Sequence, residues 1–142
     1  MPESPIPPPR LLPSVDEHNR YFWTGGARGE LVMLRCRDCR FWIHPAHDSC
    51  PRCGGTALEP EATSGLGTVF TFTVNRHPFH PAVPVPYVIA IVELGDQPGL
   101  RFTTNVVHCD PESVRIGLPV RVVFERHDDV FVPVFEPRPA SG

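Results

Sequence analysis

From Glu30 onward the hydrophobic residues come in short bursts separated by turn formers, and the three- and four-residue spacing of an amphipathic helix is missing. Gly67 to Asn75, Tyr87 to Leu94, Leu100 to Val107, Pro119 to Glu125 and Val130 to Phe135 each read as a strand. In the first, Phe70, Phe72 and Val74 alternate with Thr71 and Thr73, the period-two pattern of a strand with one buried face. The second, YVIAIVEL, is apolar on both faces and is expected at the centre of its sheet. Between the third and fourth strands, DPESVRIG predicts a short helix: Asp110 can cap, Pro111 suits the first helical position and Gly117 can end the turn. His127, Asp128 and Asp129 read as a hairpin turn. Five strands with a short helix after the third predict an OB-fold barrel over residues 63–138.

Upstream the pattern changes twice. Pro2, Pro5, Pro7, Pro8, Pro9 and Pro13 remove backbone donors from residues 1–13 and predict a disordered tail. In residues 14–29, Ser14 and Glu17 are spaced as a capping box, and Asp16 and Glu17 suit the positive end of a helix dipole. A helix from about residue 15 to 23, ended by Gly25 and Gly26, is expected. Tyr21, Phe22 and Trp23 close it, and three adjacent aromatics cannot share one helical stripe. At least one of them must pack beyond the helix's own face, on the protein's core or on a partner. Glu30 to Arg35 then reads as a strand running into CRDCRFWIHPAHDSCPRCGG.

Those residues carry the chemistry. Cys36, Cys39, Cys50 and Cys53 form two Cys-x-x-Cys pairs, a set that tetrahedral Zn²⁺ accepts with no open coordination position. Gly54 and Gly55 permit the tight turn a metal knuckle needs. A structural zinc ribbon over residues 30–62 is expected; iron in a rubredoxin-like centre and a pair of redox dithiols are the alternatives. With the sphere filled by sulfur, His44 and His47 read as solvated loop residues. A ribbon of this size has little core, so metal binding worth roughly 10 to 16 kcal/mol would supply most of its stability. Cys109, at the end of the third barrel strand, reads as a small semi-buried hydrophobe.

Charge narrows the choice of function. The 142 residues carry a formal charge of −3, and a four-thiolate zinc site takes this to about −5. All 13 basic residues are arginine, which removes Schiff-base chemistry and a phosphate-loop lysine. Arg28, Arg35, Arg37, Arg40 and Arg52 cluster around the cysteines, where they can offset the metal centre's negative charge or meet an anion. No G-x-S-x-G elbow, glycine-rich phosphate loop or H-E-x-x-H is present, so no catalytic set is predicted. His77, Phe79, His80 and Tyr87 lie in or beside a proline-stiffened loop on the rim of the barrel and read as a binding or docking loop. There is no apolar run of membrane-spanning length, and MPESPIPPPR lacks the order of a signal peptide, so a cytoplasmic protein without a membrane partner is expected.

The order of these pieces resembles one family. An aromatic-rich helix ending in F-W precedes G-E-L, C-x-x-C and C-P-x-C-G. S-G-x-G-T-V, P-Y-V-I-A-I-V-E-L, I-G-x-P-V and V-F-E-P then follow. From about Glu17 to Pro137 the chain resembles acyl-CoA-associated OB-fold proteins with an N-terminal rubredoxin-like zinc ribbon, long carried as a domain of unknown function. The resemblance implies a non-catalytic accessory subunit of a thiolase-like enzyme, such as a lipid-transfer-type thiolase acting as an aldolase. It also implies a part in binding or channelling acyl-CoA in lipid, steroid side-chain or related metabolism. It places the zinc ligands on Cys36, Cys39, Cys50 and Cys53. Phe22, Trp23, Arg28 and the loop around Phe79 have the chemistry to meet CoA or a partner. Arg40 departs from the family pattern, in which a glycine often follows the second cysteine. A single-stranded nucleic-acid binder is the alternative for an OB-fold with a zinc ribbon; the net acidity and the absence of lysine argue against it. A rubredoxin-like electron carrier is a third reading.

Overall fold

The computed structural model describes residues 12–79, 81 and 83–139. Residues 1–11 of the expected tail, and His80, lie outside the described residues. The N-terminal helix α1 spans only Arg20–Thr24, shorter than the sequence predicts. The Asn19 side chain does not cap α1 itself; the reciprocal pair lies in the turn before it and is built by Asp16 and Asn19, not by Ser14 and Glu17. Asp16 Oδ1 accepts from the Asn19 amide at 3.1 Å, and Asn19 Oδ1 accepts from the Asp16 amide at 2.8 Å. Gly25 and Gly26 do not stop the chain but continue as a 3₁₀ turn, Gly25–Arg28, that ends at Gly29 with φ 71°. Gly26 is required for packing: a Cβ there would lie 2.4 Å from Phe131 Cβ and 2.6 Å from Phe124 Cδ1.

The ribbon is a three-stranded antiparallel sheet of β1 (Val32–Cys36), β2 (Trp42–Ile43) and β3 (Leu58–Ala62), in the order β2-β1-β3. β3 is an edge strand, which tolerates Pro60 and places Glu59 and Glu61 opposite Arg35 and Met33 of β1. The ribbon buries two separate faces. Leu31, Met33 and Trp42 join the barrel's core cluster, whereas Cys36, Ile43 and Cys50 form a small cluster of their own with Leu34, Phe41 and Leu58.

The barrel consists of β4 (Leu66–Asn75), β5 (Tyr87–Leu94), β6 (Arg101–Val106), β7 (Pro119–His127) and β8 (Val130–Pro137). It closes in the order β4-β5-β6-β8-β7, with β7 pairing back onto β4. This is the five-stranded OB arrangement the strand spacing predicts. A 3₁₀ turn at Pro111–Ser113 follows the third barrel strand, and Asp110 Oδ1 accepts from the Glu112 amide at 2.9 Å. Two sequence expectations change. In a closed barrel no strand is central, and β5 alternates: Val88, Ala90, Val92 and Leu94 are buried, while Ile89 and Ile91 are half-buried on the outer face. In β4 a bulge between Val69 and Thr71 adds one residue, so Phe70 turns outward while Val69 and Phe72 pack inward. Arg101 covers the exposed Phe70 ring, its guanidinium carbon 3.7 Å from the centroid.

Ribbon and barrel are joined by polar clamps as well as by the shared core. The Gln97 side chain, in the β5–β6 loop, accepts from the Trp42 amide at 2.8 Å and donates to the Trp42 carbonyl at 3.0 Å. Thr63 donates from both its amide and its hydroxyl to the Leu31 carbonyl, and the Ser64 hydroxyl donates to Asp96 at 2.6 Å.

Candidate metal centre

Two knuckles with the same backbone pattern present the four sulfurs. In the first, the Arg40 amide donates to the Cys36 carbonyl at 2.9 Å and the Cys36 amide to the Phe41 carbonyl at 2.9 Å. In the second, the Gly54 amide donates to the Cys50 carbonyl at 2.8 Å and the Cys50 amide to the Gly55 carbonyl at 2.8 Å. The residue after the second cysteine of each pair is left-handed, Gly54 at φ 77° and Arg40 at φ 67°. Arginine thus makes the turn that glycine makes in the other knuckle, at a cost of about 1–2 kcal/mol.

All four Sγ atoms lie within 4.8 Å of one another, and the Cys36–Cys53 and Cys39–Cys50 separations are both 3.6 Å. Zn–S bonds of about 2.3 Å at tetrahedral angles require sulfur separations of roughly 3.8 Å, so the donor set fits a four-thiolate zinc. The Arg52 amide points at Cys50 Sγ and the Gly55 amide at Cys53 Sγ, each at 3.4 Å. The thiols differ in acidity. The Cys39 backbone amide, helped by that of Asp38, holds Cys36 below its ordinary value against the effect of burial. Burial would raise Cys50, but the amides of Cys53 and Arg52 outweigh it and bring that thiol down to about 7. The Gly55 amide favours the Cys53 thiolate, yet the crowding sulfurs of Cys36 and Cys39 push it up to about 12. Four thiolates at this spacing need a cation between them.

Four of the five arginines around the cysteines, Arg28, Arg35, Arg37 and Arg40, are paired with carboxylates of the protein. Arg35 Nη1 and Arg40 Nη2 reach the Glu61 carboxylate at 2.6 and 3.1 Å, Arg37 reaches Glu59 at 2.9 Å, and Arg28 Nε reaches Glu30 at 3.0 Å. Arg52 stacks on Phe41 at 5.8 Å and Arg35 on Trp42 at 4.4 Å. Arg28, a candidate for meeting CoA, therefore has an internal partner already.

Phe22 is buried and takes part in an aromatic junction that the sequence did not reveal. Its ring stacks on His44 of the ribbon (4.9 Å, 22°) and meets Trp23 of α1 and Phe102 of β6 edge-on. His44 is therefore not a solvated loop residue. Its Nδ1 is buried without a hydrogen-bond partner among the described residues, and burial lowers its pKa. His47 is exposed, as expected. Trp23 is half-buried and packs against the Val130, Val132 and Val134 cluster of β8. Between β4 and β5, His77 and Phe79 meet edge-on (4.5 Å, 65°) with Phe79 77% exposed, and Tyr87 begins β5 half-buried. The structure therefore divides the candidates: Phe22 and Trp23 sit at the junction of helix, ribbon and barrel, while His77, Phe79 and Tyr87 sit elsewhere. Cys109 packs against the core. No helix among the described residues is long and apolar enough to cross a membrane.

Comparison with known proteins follows the same division of the chain. The model of the ChsH2 rubredoxin-like zinc ribbon domain matches residues 23–59, and that of the ChsH2 C-terminal OB-fold domain matches residues 61–125. A probable enoyl-CoA hydratase alpha subunit from Thermomonospora curvata is 35% identical over 129 residues, or 90% of this chain. The chain spans only 40% of that protein's length. A DUF35 domain-containing scaffold protein from Methanocaldococcus jannaschii is 40% identical over 98 residues, covering 68% of each chain. Among solved structures, a chain of the Ltp2-ChsH2(DUF35) aldolase superposes with a TM-score of 0.79 at 34% identity, over 89% of this chain and 98% of that one. The ribbon's sulfur geometry and these matches agree on a structural zinc site, and the chain belongs to the DUF35 family, with a ChsH2-type rubredoxin-like zinc ribbon followed by a ChsH2-type OB-fold domain.

Proposed function

We propose that this protein is a non-catalytic accessory subunit of a thiolase-like enzyme of the lipid-transfer or aldolase type, and that it contributes to acyl-CoA binding or channelling. The observation that carries this reading is the superposition on nearly the whole DUF35 chain of a two-component aldolase. The enoyl-CoA hydratase subunit among the relatives supports acyl-CoA thioesters as the substrate class, and the proposal places them in lipid or steroid side-chain metabolism. The molecule's own chemistry is consistent with a supporting role. Its cysteines suit a closed zinc site, and Arg28, Arg35, Arg37 and Arg40 are matched by Glu30, Glu59 and Glu61. The internal pairing of those arginines also weakens the nucleic-acid alternative, which needs a basic groove open to phosphate.

Co-expression of the full chain with a thiolase-like subunit tests the proposal. The two proteins should co-purify, and turnover of a CoA thioester should require the thiolase-like chain. Turnover by the isolated protein at the rate of the mixture, or separate elution of the two at low salt, would contradict it.

A further inference from the structure

The two knuckles match in backbone and differ in cover. In the first, Cys39 is followed by Arg40 and Phe41, and the Phe41 ring packs on the sulfur cluster with Arg52 stacked over it. In the second, Cys53 is followed by Gly54 and Gly55, which place no side chain beside its sulfur. Burial follows this difference: Cys36 is 0% and Cys50 2% exposed, Cys39 is half-buried, and Cys53 stands open to solvent. A Cβ on Gly55 would lie 3.3 Å from Cys53 Sγ and 3.0 Å from Asp38 Oδ2, so the space that glycine leaves is an approach to the sulfur. The fully buried Cys36 Sγ lies 3.6 Å from Cys53 Sγ.

We propose that Cys53 is a site of oxidation by hydrogen peroxide, with Cys36 as the resolving cysteine, and that the reaction opens the zinc site. A cysteine that ligates zinc is a thiolate, the form that attacks an oxidant, and of the four Cys53 alone is exposed. The oxidant suited to this approach is small and uncharged, because the Asp38 carboxylate and three further sulfurs border it. Cys53 Sγ attacks one peroxide oxygen; the O–O bond breaks, and the departing hydroxide takes a proton from solvent to become water. The sulfenic acid so formed on Cys53 faces Cys36. Cys36 Sγ then attacks Cys53 Sγ; the S–S bond forms as the S–O bond breaks, and the second hydroxide also leaves as water. Two thiolates have lost two electrons, and the peroxide has gained them. Burial keeps Cys36 from the oxidant until Cys53 has reacted. Cys39 and Cys50 are then the sulfurs left for a cation, one from each knuckle, and such a pair does not make a closed tetrahedral site. The reaction needs neither a partner subunit nor acyl-CoA.

The test treats the zinc-loaded full chain with hydrogen peroxide in the presence of a zinc-responsive dye, in a Cys109→Ser background that confines oxidation to the ribbon. Dimedone should trap the first oxygen adduct on Cys53. Without dimedone, peptide mapping should find a Cys36–Cys53 disulfide, and Zn²⁺ should leave in proportion to it. Dithiothreitol and Zn²⁺ together should restore the site. Gly55→Ala, which sets a methyl group against Cys53 Sγ, should slow release by about threefold or more at unchanged zinc content. Gly54→Arg gives the second knuckle the residue that the first tolerates in the same left-handed turn; it should slow release likewise and serves if the alanine variant loses zinc. The proposal is overturned if the first adduct falls on Cys39, if Cys53 pairs with Cys50, or if the sulfurs oxidise and zinc stays. It is overturned equally if both variants release zinc at the unsubstituted rate. Should neither variant hold zinc, the adduct and the disulfide of the unsubstituted ribbon decide.

Discussion

Arg40 and His44 lie four residues apart and show two ways in which a side chain departs from what its position favours. Arg40 occupies the left-handed conformation that Gly54 occupies in the sister knuckle, and it holds Glu61 in return. Arg40→Ala removes the ion pair and keeps the strain, whereas Arg40→Gly removes both. Thermal melts of the zinc-loaded variants should therefore place the glycine protein above the alanine protein by about 1 kcal/mol. Equal stabilities would mean that the turn costs arginine nothing. His44 presents the opposite problem, a polar atom where an apolar one would do. Burial lowers its pKa, so the folded protein resists protonation while the unfolded chain takes up a proton near pH ~6.5. The stability that comes from keeping the ring neutral is complete above that pH and is lost as the pH falls toward the folded-state value. His44→Phe keeps a ring against Phe22 and removes both the titration and the orphaned Nδ1. Its advantage over wild type should amount to about 1 kcal/mol at neutral pH and grow between pH 8 and 5. An advantage independent of pH would show that His44 is not held neutral. The place of Arg40 was legible, because glycine often follows the second cysteine in the family pattern and the turn is closed by bonds within the knuckle; the burial of His44 was not, because it comes from Phe22 and Phe102, both distant along the chain.

At the scale of elements, legibility followed the range of the interactions. The barrel strands were readable because alternation is local, and the cysteine knuckles because sulfur at that spacing has few other uses. The reciprocal pair was misplaced by two residues because Asp16 and Asn19 serve as well as Ser14 and Glu17, and only the docked chain decides between them. Phe70 was assigned to the wrong face because one inserted residue reverses the alternation and leaves no mark in composition. The clamp from Gln97 to Trp42 spans 55 residues and had no sequence signal at all. It is nonetheless a strong coupling, since it satisfies both backbone groups of a buried residue. Gln97→Ala should destabilise the protein by about 2 kcal/mol through the unpaired amide and carbonyl left behind. Hydrogen exchange should show the Trp42 amide losing its protection selectively while β4 and β5 keep theirs. Uniform loss across the barrel would show that Gln97 supports the fold generally and does not tie the ribbon to it.

For the molecule as a whole, the ribbon's two faces decide how it responds to loss of metal. Leu31, Met33 and Trp42 belong to the barrel core, so this face has a hydrophobic reason to stay in place. The other face has only Ile43, Leu34, Phe41 and Leu58 around the sulfurs, too few apolar groups to hold two knuckles together without the bond energy of a cation. Removing zinc with a chelator at neutral pH should therefore unfold the protein in two stages. Amides of residues 36–57 should exchange first, while those of β4 to β8 stay protected, and β1 should fall between, frayed at Cys36 and held at Met33. Acid should promote the first stage, because metal binding requires deprotonated thiols and each step down in pH favours the four protonated sulfurs over the complex. Readdition of Zn²⁺ should restore protection of the knuckles without a lag for barrel refolding. Simultaneous loss of protection in knuckles and barrel would mean that Gln97, Thr63 and the shared core make a single cooperative unit, and that the metal stabilises the barrel as much as the loops that bind it.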